Sequence, residues 1–163
     1  MAREQNRVTL IKKILVPTDG SPASLSAARY AAELARAFGA EVTLLHVVEV
    51  PRIANYFLKK PNTELRKEFT DAGKAILAMT QKTFLDVGVS VNIELQEGRA
   101  GDVIVLMALQ GEYDLIVMGS RGLEPSESVL LGSVSDHVAH YAPCPVLIVR
   151  RGMVAPVRRA RGV

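Results

Sequence analysis

Tryptophan is absent from the 163 residues, and aromatic side chains make up only 5% of them. Stacking platforms for single-stranded nucleic acid are built from such rings, so that class of binder is a poor match. Cysteine occurs once, at Cys144, which excludes an intrachain disulfide and fits a reducing, cytoplasmic compartment. No apolar run approaches the ~20 residues that a membrane-spanning helix needs. Met1 to Lys13 is polar and charged, so no secretory leader is expected. The phosphate-binding pattern GxxxxGK[ST] is missing, and with it the usual lysine on the β- and γ-phosphates. There is no GxSxG elbow, and Ser120 lacks that context.

What is present is globular composition, with 48% hydrophobic and 23% charged residues in one domain-sized chain. The net charge of +3 belongs to the end of the chain. Arg150, Arg151, Arg158, Arg159 and Arg161 fall in its last fourteen residues, and no Asp or Glu follows Asp136. The remainder has fifteen basic against seventeen acidic residues, a slightly acidic body. The tail can touch RNA, acidic lipid or an acidic partner, but a solvated end explains it as well. Nucleic acid is therefore not an expected partner beyond weak contact with this tail.

The hydrophobic pattern alternates strand and helix. Lys13 to Pro17 is a short apolar strand that stops at Thr18-Asp19-Gly20. Ser21-Pro22 then caps a helix with Leu25, Ala28, Ala32, Ala35 and Phe38 at helical spacing, stopped by Gly39. Val42 to Val48 is continuously apolar apart from Thr43 and His46, as in a strand buried on both faces. Pro51 to Pro61 is a loop carrying Tyr56, Phe57 and Leu58. A long helix starts at Asn62/Thr63 and ends at Gly88; Val89 to Leu95 then alternates like a half-exposed edge strand. A helix follows from Gly101-Asp102 to about Gln110, and Leu115 to Met118 forms a strand running into Gly119. Ser133 to Tyr141 is a short helix, and Pro145 to Val149 the last strand.

Five strands joined by crossovers predict a single-domain α/β fold: an open five-stranded parallel sheet with helices on both faces. The expected strand order is 3-2-1-4-5, flavodoxin- or Rossmann-like. Ligands of such sheets sit beyond the carboxyl ends of the strands, where the winding reverses. Here that point lies between the first and fourth strands, whose ends are Pro17-Thr18-Asp19-Gly20 and Met118-Gly119-Ser120-Arg121-Gly122.

The second of these turns has the chemistry of a phosphate cradle. Gly119 and Gly122 permit close approach of backbone to a ligand, and Gly132-Ser133 opens a helix whose first N–H groups are unpaired. Val134 and Ser135 add N–H donors, and the hydroxyls of Ser133 and Ser135 suit phosphate oxygens. Glycines that end a strand and a serine that caps a helix would produce the same letters, and short glycine patterns recur by chance.

Gly119-x2-Gly122-x9-Gly132-Ser133 nevertheless resembles, spacing for spacing, the nucleotide-binding pattern of the universal stress protein family. The resemblance runs from Ile14 to Val149. It includes Ile14-Leu15-Val16-Pro17-Thr18-Asp19-Gly20-Ser21, Leu45-His46-Val47-Val48 and Ala142-Pro143-Cys144-Pro145-Val146-Leu147-Ile148-Val149. It implies an ATP-binding member; the acidic linker at Glu124 and Glu127 adds ADP or AMP as candidates, and Asp19 at its strand end can help hold a Mg²⁺ carried by the phosphates. It places Pro17, Thr18 and Asp19 against ribose and adenine, and Val47 on the adenine. Met118, Gly119, Arg121 and Gly122 would line the ribose and phosphate path, with Gly132, Ser133, Val134 and Ser135 on the phosphates. It also implies a homodimer; Val146 to Val149, an uncharged apolar edge, is the expected pairing strand. Residues 1–11 then form an N-terminal extension, 12–150 the nucleotide-binding domain and 151–163 a basic flexible tail.

The linker departs from the family pattern at Glu124 and Glu127. Carboxylates beside a triphosphate repel it unless they face solvent or a metal intervenes, so weaker ATP binding than in a typical member is expected. Any hydrolysis should be slow, and no residue stands out as catalytic. His137 and His140 share a helix face next to Asp136, but without a third ligand they read as surface polar residues. His46 reads as a hydrogen-bonded core histidine, and Cys144, without basic neighbours, as an unreactive thiol. Two functions of different class remain: a nucleotide-binding stress-response sensor, or a scaffold using the dimer surface and basic tail without ATP.

Overall fold

Lys13–Pro17 is a strand because its apolar run has no periodicity of 3.6 and is closed by the turn at Thr18 to Gly20. In the computed structural model, which describes residues 11–50, 62–122 and 131–154, this strand (β1) is the centre of the sheet. The expectations for Tyr56 to Leu58, for Glu124 and Glu127, and for the tail beyond Val154 fall outside those residues.

The chain continues through α1 (Pro22–Phe38), β2 (Glu41–Val48), α2 (Asn62–Leu85), β3 (Val91–Glu97) and α3 (Ala100–Gln110). It closes with β4 (Leu115–Gly119), α4 (Ser133–Tyr141) and β5 (Val146–Val149). All pairings are parallel and the strand order is β3-β2-β1-β4-β5. Register is set with Lys13 opposite Glu41, Ile14 opposite Leu115 and Val42 opposite Val91. The winding reverses between β1 and β4, so their carboxyl ends diverge to open a crevice.

Alternation along each strand divides the core into two layers. Ile14, Val16, Val42, Leu44, Leu115 and Val117 face α1 and α2, where Ala27, Ala28, Ala31, Ala32 and Ala35 bring α1 close to the sheet. Leu15, Leu45, Ile116 and Met118 face α3 and α4 and meet Ile104, Ala108 and Val138. Phe84, fully buried near the end of α2, closes the first layer. Its truncation to Ala would cost about 3–5 kcal/mol.

Two boundaries differ from the sequence expectation. β3 begins at Val91 rather than Val89, because the Val89 N–H closes the end of α2 by donating to Phe84 O at 3.0 Å. α3 begins at Ala100 rather than Gly101, because the Glu49 carboxylate accepts the Ala100 N–H from across the sheet edge.

Candidate functional site

The crevice is built from the ends of β1 and β4 and the start of α4. On its α3/α4 face, Pro17, Val47 and Met118 form an apolar floor, following Leu15, Leu45 and Ile116 by the alternation of their strands. Asp19 stands at the end of β1, where its Oδ1 accepts the Ser21 N–H at 2.9 Å. Its Oδ2 faces Gly122 so closely that a Cβ on that glycine would lie 2.7 Å from it. Asp19 and the glycine motif therefore meet across the crevice.

The two ends of the motif also meet each other. Gly132 N–H donates to Ser120 O at 2.8 Å, and a Cβ on Gly132 would sit 3.4 Å from Arg121 Cα. Ser120 N–H is held in turn by Val149 O at 2.9 Å. Arg121, half-buried, presents its carbonyl to the Ser21 hydroxyl at 3.3 Å. Gly119 lies where no side chain fits, since a Cβ there would meet Ser24 N at 2.7 Å and Ala23 C at 2.8 Å.

Helix starts at this end of the sheet are not alike. Ser21 caps α1 by accepting the Ser24 N–H, and Glu49 caps α3. The N-cap of α4 is Gly132, which has no side chain to offer. The N–H groups of Ser133, Val134 and Ser135 lie in the first turn, where an α-helix supplies no acceptor. That end of the helix carries the positive end of its dipole. Asp136 N–H is the first to bond within the helix, to Gly132 O at 2.9 Å.

Two side chains are spent differently from expectation. The Ser135 hydroxyl is buried and donates to Ser120 O at 2.7 Å, with Gly132 O at 3.0 Å, so the side chain is not available to a ligand. Ser133 is exposed at the helix start, and Val134 packs into the second layer. The Thr18 side chain is turned to the opposite face of the sheet, where it meets Ser24 and Thr80.

The remaining polar residues have structural partners. His46 Nδ1 lies 2.8 Å from Thr18 O, and facing a carbonyl it must be the N–H donor. His137 Nε2 pairs with Asp102 Oδ1 at 3.0 Å, joining α4 to α3. His140 Nδ1 lies 2.9 Å from Asp136 O on its own helix. No metal-binding group of three such residues exists among the described residues. Burial first, and then the Asp114 carboxylate, push the Cys144 thiol above its ordinary range, which leaves it protonated and a poor nucleophile at neutral pH. Glu49 and Thr80 were not legible as site residues: their partners, 51 and 62 positions away, leave no local pattern.

A doubly wound parallel sheet, with a glycine-capped helix start and a carboxylate at its switch point, defines the class of α/β proteins that take ligands at the sheet's carboxyl edge. The model of the universal stress protein family matches residues 10–150, and the chain belongs to that family. It is similar to universal stress protein MJ0531 of Methanocaldococcus jannaschii, 37% identical over 147 residues, covering 90% of this chain and 86% of that protein. Among solved structures it resembles hypothetical protein MJ0577 of the same organism. That match has a TM-score of 0.75 and 32% identity, over 88% of this chain and 99% of the other. It also resembles a universal stress protein solved in complex with cAMP, with a TM-score of 0.68 and 27% identity over 88% and 99% of the two chains.

Proposed function

We propose that the crevice between β1 and β4 binds an adenine nucleotide, ATP with ADP or AMP tolerated, and that occupancy signals in a stress response. The observation that carries this reading is the asymmetry of the helix starts. α1 and α3 are capped by Ser21 and Glu49, whereas α4 opens on Gly132, which packs on the Ser120 to Gly122 turn that faces Asp19, and leaves its N–H groups for an anion. The base rests on Pro17, Val47 and Met118. Asp19 accepts from a ribose hydroxyl or from water on a Mg²⁺ carried by the phosphates. Gly119, Arg121 and Gly122 line the path between them, and Gly132, Ser133, Val134 and Ser135 receive the phosphates.

The complex of a related universal stress protein with cAMP supports an adenine ligand. The reading extends to a homodimer paired through Val146 to Val149, and the free Cys144 suits a cytoplasmic setting. Among the described residues, no helix is long and apolar enough to cross a membrane. The domain division at residues 12–150 is supported by the span of the family match.

Mass spectrometry of small molecules released from the purified protein, with titration calorimetry of ATP, ADP and AMP, tests the ligand. Micromolar binding of at least one of the three is expected, about −8 kcal/mol. No released nucleotide together with no heat of binding would favour the scaffold instead.

A further inference from the structure

Thr18 stands at the mouth of the crevice, yet each of its polar atoms is bonded within the protein. Its N–H donates to Leu45 O at 2.8 Å, and its carbonyl accepts from His46 Nδ1 at 2.8 Å. Its hydroxyl oxygen accepts the Gly20 N–H at 3.3 Å and lies 3.2 Å from Ser24 Oγ and 3.1 Å from Thr80 Oγ1. Proton counting fixes the direction of these contacts. Ser24 gives its proton to Ser21 O at 2.9 Å, and Thr80 gives its own to Ile76 O at 2.9 Å. The Thr18 proton is therefore the one shared between Ser24 and Thr80. All three side chains are buried, at 5%, 4% and 0% exposure, where a hydroxyl deprived of its partner is costly.

The contact with Thr80 belongs to a broader seat that α2 makes for the turn. Ile76 and Met79 lie under Gly20, where a Cβ would come within 3.3 Å of Ile76 Cγ1 and 3.5 Å of Met79 Cε. Gly20 itself has φ of 79°, a conformation that suits glycine and gives the turn its shape. One further turn back, Gly73 admits the His46 ring, which would sit 2.7 Å from a Cβ there, and His46 holds the Thr18 carbonyl. Asp19 lies between these fixed points. The start of α4 is fastened chiefly through Ser120 O, and touches the turn only by way of the Ser21 hydroxyl on Arg121 O at 3.3 Å and of Asp19 on Gly122.

We propose that Thr80 is a positioning residue for the ribose end of the site. Through Thr18 it aims the Asp19-Gly20 turn, so α2 governs affinity for the nucleoside more than for the phosphates held at α4, whose main anchor is Ser120 O. This rests on the adenine-nucleotide reading of the crevice.

Thr80→Val keeps the size and removes the acceptor; Thr80→Ser restores it. Amide exchange on the ligand-free proteins should show Gly20 and Ser21 opening about 10-fold faster in Thr80→Val, with Leu15 and Val117 unchanged. Calorimetry should show AMP weakened about 10-fold and inorganic tripolyphosphate unchanged, with Thr80→Ser close to wild type for both. Thr80→Cys, which leaves only a weak acceptor, shifts the same readouts in the same direction and serves where the valine variant does not fold. Unchanged Gly20 and Ser21 exchange, or AMP and tripolyphosphate weakened by the same factor, would overturn the role of Thr80. Wild-type protein that binds no AMP would overturn the nucleotide reading instead, and the exchange measurement still decides whether Thr80 holds the turn.

Discussion

Gly122 and Gly132 stand in one motif for different physical reasons. A methyl group on Gly122 would press on Asp19 Oδ2 from 2.7 Å, so Gly122→Ala acts by displacing the carboxylate. Gly132 has φ of −74°, and among the described residues a methyl group there would meet nothing closer than 3.4 Å, so they accept alanine. Loss of binding in Gly132→Ala thus reports the approach of a ligand rather than damage to the protein. Both variants are expected to lose about 10-fold or more in ATP and AMP affinity, while Gly132→Ala keeps its unfolding free energy within about 0.5 kcal/mol. Calorimetry paired with denaturant melts decides this, and wild-type affinity in Gly132→Ala would remove α4 as the phosphate seat. The glycines and Asp19 were legible because backbone demands leave their mark on residue type. Thr18 was legible as a position but not as a role: its partners Ser24, His46 and Thr80 converge only once the sheet is formed.

At the level of elements, local signals served best where a local device ends the element. α1 is bracketed by the Ser21 cap, a proline in its first turn and Gly39 with φ of 67°, and all three stand in the sequence. α4 likewise runs from Ser133 to Tyr141 as its cap glycine and Pro143 require. β3 was less legible. Val89-Ser90 mimics strand alternation but belongs to the turn that closes α2, while Gln96 and Glu97 break the apolar pattern and remain strand because Val47 and Val48 pair with them. Contact between elements also explains Gly119, whose position faces the first turn of α1. A methyl group there would meet the backbone of Ala23 and Ser24 at 2.8 and 2.7 Å, which moves only if α1 moves. Gly119→Ala should cost about 1–3 kcal/mol, read as a lower denaturation midpoint. An unchanged midpoint would mean that α1 slides on the sheet without penalty.

Among the described residues the sheet ends in two edges of different character. β3 exposes Asn92, Gln96 and Glu97 along with Ile93, and Glu97 pairs with Arg66 at 3.0 Å; polar and charged residues on an edge discourage strand addition. β5 is Val-Leu-Ile-Val, uncharged throughout. Pro145 O and Val149 O accept from Ile116 in β4 and from Ser120 just beyond it, so Val146 and Ile148 turn their N–H and C=O groups outward. Two β5 strands meeting about a two-fold axis would satisfy those groups and join the sheets of two protomers. Val146→Pro deletes one outward N–H and leaves the β4 ladder intact, the kind of edge position where proline is tolerated. Wild-type protein is expected to sediment as a dimer at micromolar concentration and Val146→Pro as a monomer with a similar melting temperature. A monomeric wild type, or a proline variant that remains dimeric, would show that β5 is not the pairing edge.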